Sequence, residues 1–195
     1  MQRTVVSVAA VAILAAASPI FAQQMPAAQP THPVRLGFAG GVIVPRTGAT
    51  AQSLKTGMQG QGFLLFQLPG GLPAIRANVD YAKMKFDKPS TNTTGYAGDR
   101  TIIDGVAGIK LDLVPGPIRP YVMAGVGAFN VKDLVGTTSV SDTNFGVDGG
   151  AGVSVKIGRI DAFVETRLQN VWTKQQGAID AKTIQAFPVS FGILF

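Results

Sequence analysis

The stretch "FPVSFGILF", residues 187–195, decides the fold. Phe187, Val189, Phe191, Ile193 and Phe195 fall at every second position, and a period of two belongs to a strand with one apolar face. What that apolar face touches is the question the rest of the chain answers.

The same alternation runs back to Val34, with no convincing helix between. "VRLGFAGGVIV" sets Val34, Leu36, Phe38, Val42 and Val44 against Arg35, Gly37, Ala39 and Gly41. "QGFLLFQL" is a second, more apolar strand. "AIRANVDYAKM" sets Ile75, Ala77, Val79 and Tyr81 against Arg76, Asn78 and Asp80. "TIIDGVAGIKLDLV" sets Ile103, Ala107, Ile109, Leu111 and Leu113 against Asp104, Gly108, Lys110 and Asp112. "PYVMAGVGAFNV" is a strand whose two faces are not distinguishable. "NFGVDGGAGVSVKIG" opposes Phe145, Val147, Ala151, Val153, Val155 and Ile157 to Asp148, Ser154 and Lys156. "RIDAFVETRLQNVW" opposes Ile160, Ala162, Val164, Leu168 and Trp172 to Asp161, Glu165, Arg167 and Gln169. With the closing segment there are eight strands.

The links predict the topology. "PGGLP", "PGPIR" and Gly158-Arg159 are tight turns made of turn residues. "PRTGATAQSLKTGMQG", "DKPSTNTTGYAGDR", "KDLVGTTSVSDT" and "KQQGAIDAK" are long and polar. Their strict alternation predicts an up-and-down antiparallel sheet with the tight turns and both termini at one end, and four polar loops at the other.

Composition bounds the rest. The 195 residues suffice for one domain, and 14% charged residues with 24 glycines fit a β-rich chain. The absence of cysteine excludes disulfides, thiolate metal sites and a Cys nucleophile. "MQRTVVSVAAVAILAAASPIFA", residues 1–22, has a cation at Arg3, an apolar run from Val5 to Ala17 and a small residue at Ala22. It reads as a cleaved secretory signal peptide, too short to span a bilayer. Residues 23–33 are a Pro-rich linker, and residues 34–195 form the barrel. The formal charge of +6, one less without Arg3, comes from scattered residues and not from a run. Anionic lipid headgroups, rather than nucleic acid, are the expected partner of that charge.

A soluble barrel would bury the apolar face; a membrane barrel turns it outward to lipid. Three features favour lipid. The polar face carries nearly balanced charges that can pair in a narrow interior: Arg35, Arg76, Lys110, Lys156 and Arg167 with Asp80, Asp104, Asp112, Asp148, Asp161 and Glu165. Strands of roughly ten residues suit a tilted crossing. Short turns at one end and long loops at the other follow the outer-membrane plan.

From Val34 to Phe195 the chain resembles the eight-stranded outer-membrane β-barrels of Gram-negative bacteria, the OmpA/OmpX-like superfamily. The resemblance implies an all-β, eight-stranded antiparallel transmembrane barrel in the outer membrane, monomeric, among lipid and lipopolysaccharide. It also implies that the pattern Phe187, Val189, Phe191, Ile193, Phe195 is the terminal signal shown to the barrel assembly machinery. Two departures stand out. Pro188 removes a ladder donor from the closing strand and calls for a bulge or a locally open seam. The peptidoglycan-binding domain of larger relatives does not follow, which argues against wall tethering.

Candidate chemistry is sparse. His32, the single histidine, lies in the linker, so a His-assisted lipid hydrolase or acyltransferase has no general base. "GVDGGAG", residues 146–152, fits no phosphate-loop spacing and reads as strand glycine. The acidic residues of the polar face read as ion-pair partners, not as a cation site, and "NTT" at Asn92 as a loop. No catalytic, metal or cofactor residue is assigned. An eight-stranded interior is filled by its own side chains, which leaves no general diffusion pore. The expected function is non-enzymatic: membrane support, surface interaction or adhesion. A secreted soluble barrel carrying an apolar ligand and a narrow ion channel are the alternatives.

Overall fold

The computed structural model describes residues 33–46, 54–69, 73–86, 98–135, 138–172 and 183–195. The leader, most of the linker with His32, and the sequon at Asn92 lie outside the described residues. The strands are β1 (Val34–Pro45), β2 (Gly57–Phe66), β3 (Ala74–Lys85), β4 (Gly98–Asp112), β5 (Ile118–Val135), β6 (Thr138–Ile157), β7 (Ile160–Trp172) and β8 (Thr183–Leu194). Each pairs antiparallel with the next, and β1 pairs with β8, so the sheet closes into a barrel. Closure removes both edges, which a sheet crossing hydrocarbon requires.

Alternation places the side chains. The outer wall exposes Phe38, Val79, Ile109, Val126, Val164 and Phe191, among many others, while Arg76, Asp80, Glu165 and Arg167 on the opposite face are buried. β5, indeterminate in sequence, turns Tyr121, Phe129 and Val131 inward and Val122 and Val126 outward. β2 likewise buries Phe63 and Leu65 and exposes Leu64 and Phe66. These rings fit a narrow barrel because the strands beside them carry inward glycine: a Cβ on Gly37 would lie 2.2 Å from the Phe63 ring. One on Gly152 would lie 2.6 Å from the Tyr121 ring. The glycines of "GVDGGAG" thus make room for packing. At the β6–β7 turn Gly158 has φ +65°, which glycine adopts without a Cβ penalty.

The links depart from strict alternation in one place. "KDLVGTTSVSDT" is not a long loop: β5 runs to Val135 and β6 starts at Thr138. The polar stretch is rich in Thr, Ser and Val, and it pairs strand to strand. Asn130 Nδ2 donates to Thr143 Oγ1 at 2.9 Å, and Ser141 Oγ to Asn130 Oδ1 at 3.2 Å. The two strands are therefore 18 and 20 residues long rather than about ten. Residues 138–145 run past the last β6–β7 pair, Gly146↔Val171.

Pro188 interrupts the β7–β8 ladder without a bulge. The β7–β8 register is the same on both sides, Thr166↔Val189 and Gln169↔Ala186, and the two pairs between are missing. Phe195 N–H donates to Leu36 and Arg46 N–H to Gln185. Odd residues of β8 therefore bond to β1 and even ones to β7. The donor that Pro188 lacks is the one owed to the Arg167 carbonyl. On the other side the β1–β8 ladder passes through Ile43↔Pro188 uninterrupted.

Candidate functional site

The interior is organised in layers. Near the turn end, Asp161 receives Arg35 and, at 2.6 Å, Arg119. Lys110 pairs with Asp112 at the mouth. Above them Phe63, Leu65, Tyr121, Phe163 and Leu194 form an apolar layer. Phe63 and Phe163 meet edge to face at 5.6 Å, and the Arg76 guanidinium lies 3.9 Å above the Phe63 ring.

Glu165 joins that layer to the next. Its carboxylate accepts from Gln61 Nε2 at 2.8 Å, from Arg76 at 2.8 and 3.0 Å, and from the Tyr121 hydroxyl at 2.7 Å. Arg167 follows, its guanidinium 3.8 Å from Glu165. It donates to Asp80 at 2.6 and 3.2 Å and to Asp148 at 3.1 Å. Asn78 donates to Asp80 from two residues away on β3. Toward the loop end a second apolar layer, with Ile43, Met84, Ile102, Phe129 and Val171, closes the interior, and Arg100 binds Asp133 at 2.6 Å.

Arg35, Arg76, Asp80, Asp148, Asp161, Glu165 and Arg167 are thus drawn together in the interior. Asp104 faces it too, across the ladder from Asp80, but its Oδ1 has no hydrogen-bond partner. Lys156 is exposed at the rim and stands outside the network. Lys110 and Asp112 pair with each other rather than with the deeper groups. Sequence reasoning missed Arg119, Arg100, Gln61 and Tyr121. Parity assigns Gln61 and Tyr121 only once the faces of β2 and β5 are known, and both strands are apolar on both faces. Phe187, Val189, Phe191, Ile193 and Phe195 share the outer face, and Phe195 is tied in through Leu36.

At the turn end a pocket bounded by Arg35, Lys110, Arg119, Asp161 and Phe163 measures about 10 Å³, hardly enough for one water. Among the described residues no three metal-ligating side chains converge.

An eight-stranded antiparallel barrel with apolar wall and ionic interior is an outer-membrane architecture, and residues 10–195 match the outer membrane protein beta-barrel domain. The chain belongs to this family. It resides in the outer membrane, with its apolar wall in lipid. Among solved structures it is similar to Neisserial surface protein A, at 16% identity over 84% of this chain and 96% of that one, with a TM-score of 0.62. Ail, the attachment invasion locus protein of Yersinia pestis, aligns at 11% identity over 84% and 100%, with a TM-score of 0.49. The N-terminal β-barrel domain of Pseudomonas aeruginosa OprF aligns at 14% identity over 84% and 98%, with a TM-score of 0.39. Comparison with curated protein sequences gives no match.

Proposed function

We propose that this outer-membrane barrel is non-enzymatic and works through its surfaces: a sealed, rigid staple in the membrane that presents its loop end to the exterior. The observation that carries this reading is the filled interior. Two apolar layers and the Glu165–Arg167 network occupy the lumen, which supports a structural and surface-interaction role over conduction. On this reading residues 1–22 direct export, the terminal apolar face of β8 is read by the assembly machinery, the barrel is monomeric, and lipopolysaccharide surrounds its outer half. The long β5–β6 hairpin is the element best placed to meet external partners.

Two measurements test it. The refolded chain in a planar bilayer is expected to show no steady conductance. A deletion strain is expected to admit detergents and large antibiotics more readily, and the full chain restores the barrier. Steady conductance, or an unaltered barrier and surface in the deletion strain, would overturn the reading.

A further inference from the structure

The cations of the outer wall are not evenly spread. At the turn end no outward-facing strand residue among those described is basic. At the loop end Arg46, Lys83, Lys85 and Lys132 all face outward and are exposed. Two of them belong to one row of the ladder. Lys83 of β3 pairs with Thr101 of β4, Thr101 with Lys132 of β5, and Lys132 with Ser141 of β6. Two ammonium groups therefore alternate with two hydroxyls across four adjacent strands. Lys83 and Lys132 are two strand spacings apart, ~10 Å between backbones, a gap their flexible side chains can close around one headgroup.

What lies beside the row identifies its occupant. The next row toward the membrane holds Tyr81, Ile103, Asn130 and Thr143, and the one after it holds Val79 and Phe145. Tyr81, Ile103, Val79 and Phe145 are each about half exposed or more, and Phe145 is stacked on Trp172 at 5.7 Å. A ligand seated here meets cations and hydroxyls at one end and an apolar wall at the other. Lys132 has no ion-pair partner among the described residues, while Lys83 is held by Asp99 at 2.9 Å.

We propose that the Lys83–Thr101–Lys132–Ser141 row is a docking site for the phosphorylated headgroup of an outer-leaflet glycolipid of the lipid A class, its acyl chains lying along Tyr81, Ile103 and Phe145. This rests on the membrane orientation above and names a partner for the proposed surface role. The phosphate lies between the two ammonium groups, with the Thr101 hydroxyl donating to one of its oxygens. A monoanionic glycerophospholipid offers one charge where the row offers two, so the diphosphorylated headgroup is preferred.

The test is a titration of diphosphoryl lipid A into the refolded full chain in a zwitterionic detergent, read by Trp172. This residue is the only tryptophan in the chain, and it borders the patch through Phe145. A saturable fluorescence change is expected. Lys83→Gln/Lys132→Gln should weaken binding about thirty-fold, since both cations facing the anionic headgroup are removed. Asp99→Asn, which releases Lys83, should tighten it roughly two- to fivefold. Arg159→Gln, an exposed cation in the turn at the other end, should leave it unchanged. Equal binding of phosphatidylglycerol or of dephosphorylated lipid A would overturn the proposal. So would an equal loss in Arg159→Gln, or the absence of any effect in the double variant. Gel migration before and after heating verifies the folded barrel in every variant, so a failure of the lipid site and a failure of the barrel reading are separable.

Discussion

Arg167 is the side chain whose loss should cost most. It is 1% exposed and makes three hydrogen bonds to the carboxylates of Asp80 and Asp148, with Glu165 at 3.8 Å. Arg167→Met keeps most of the stem and removes the charge. Glu165 retains Arg76, Gln61 and Tyr121, so its loss is small. Asp80 retains only Asn78 among the bonds described, and Asp148 loses its one ion-pair partner among the described residues. Three charge-assisted bonds at about 1.5–3 kcal/mol each set an upper bound. They act as a unit, and breaking a buried pair from one side costs about 3–5 kcal/mol. That corresponds to a fall of two to three and a half orders of magnitude in the folding equilibrium. The assay is a urea titration of the chain refolded in lipid vesicles, followed by Trp172 fluorescence. The midpoint should fall with an unchanged slope, since the area exposed on unfolding is the same. Arg167→Met/Asp80→Asn should recover part of the loss, because the second change removes one of the stranded charges. A loss below about 1 kcal/mol, or no recovery in the double variant, would mean that water screens the layer and that the network is not the seal described.

Four further outcomes follow from the same geometry. Val126→Arg, on the outer wall, should destabilise the barrel in lipid by about 2–4 kcal/mol; an unaffected urea midpoint would mean that the wall does not face hydrocarbon. Gly37→Val drives a side chain into the Phe63 ring and should cost about 1–3 kcal/mol, partly recovered by Phe63→Leu; thermal melts of the two variants decide it. Pro188→Ala supplies the donor owed to the Arg167 carbonyl and should stabilise the refolded barrel by about 1 kcal/mol; a urea midpoint that does not rise would mean that this bond is not missing from the ladder. Deleting Phe195 removes the bond to Leu36, worth about 1 kcal/mol, so refolded stability should drop slightly while assembly yield in cells drops further; equal losses would assign the residue to packing alone.

Much of the barrel is written locally. In β1, β3, β4, β7 and β8 the inward and outward sets follow from parity, because a pleated strand turns successive side chains to opposite faces wherever it lies. The exterior of Phe187, Val189, Phe191, Ile193 and Phe195 is legible for that reason. Parity fails where both faces are apolar. Phe63 and Leu65 on β2, and Tyr121 and Phe129 on β5, go inside because glycines on neighbouring strands make room for their rings, and only the assembled wall shows that room. The β5–β6 connection escapes local reading for a related reason: a polar stretch of Thr, Ser and Val looks like a loop until its partner strand satisfies its backbone and Asn130 its hydroxyls. The partners of the charges were not legible at all. Arg76 meets Glu165 across 89 residues and Arg167 meets Asp80 across 87, and no spacing along the chain encodes those choices. They follow from closure. Once β1 and β8 join, the register fixes which carboxylate lies opposite which guanidinium, and burial makes an unpaired charge costly. The sequence determined the faces of the wall, since that information is local; the closed ring decided which groups meet inside it, since that information is not.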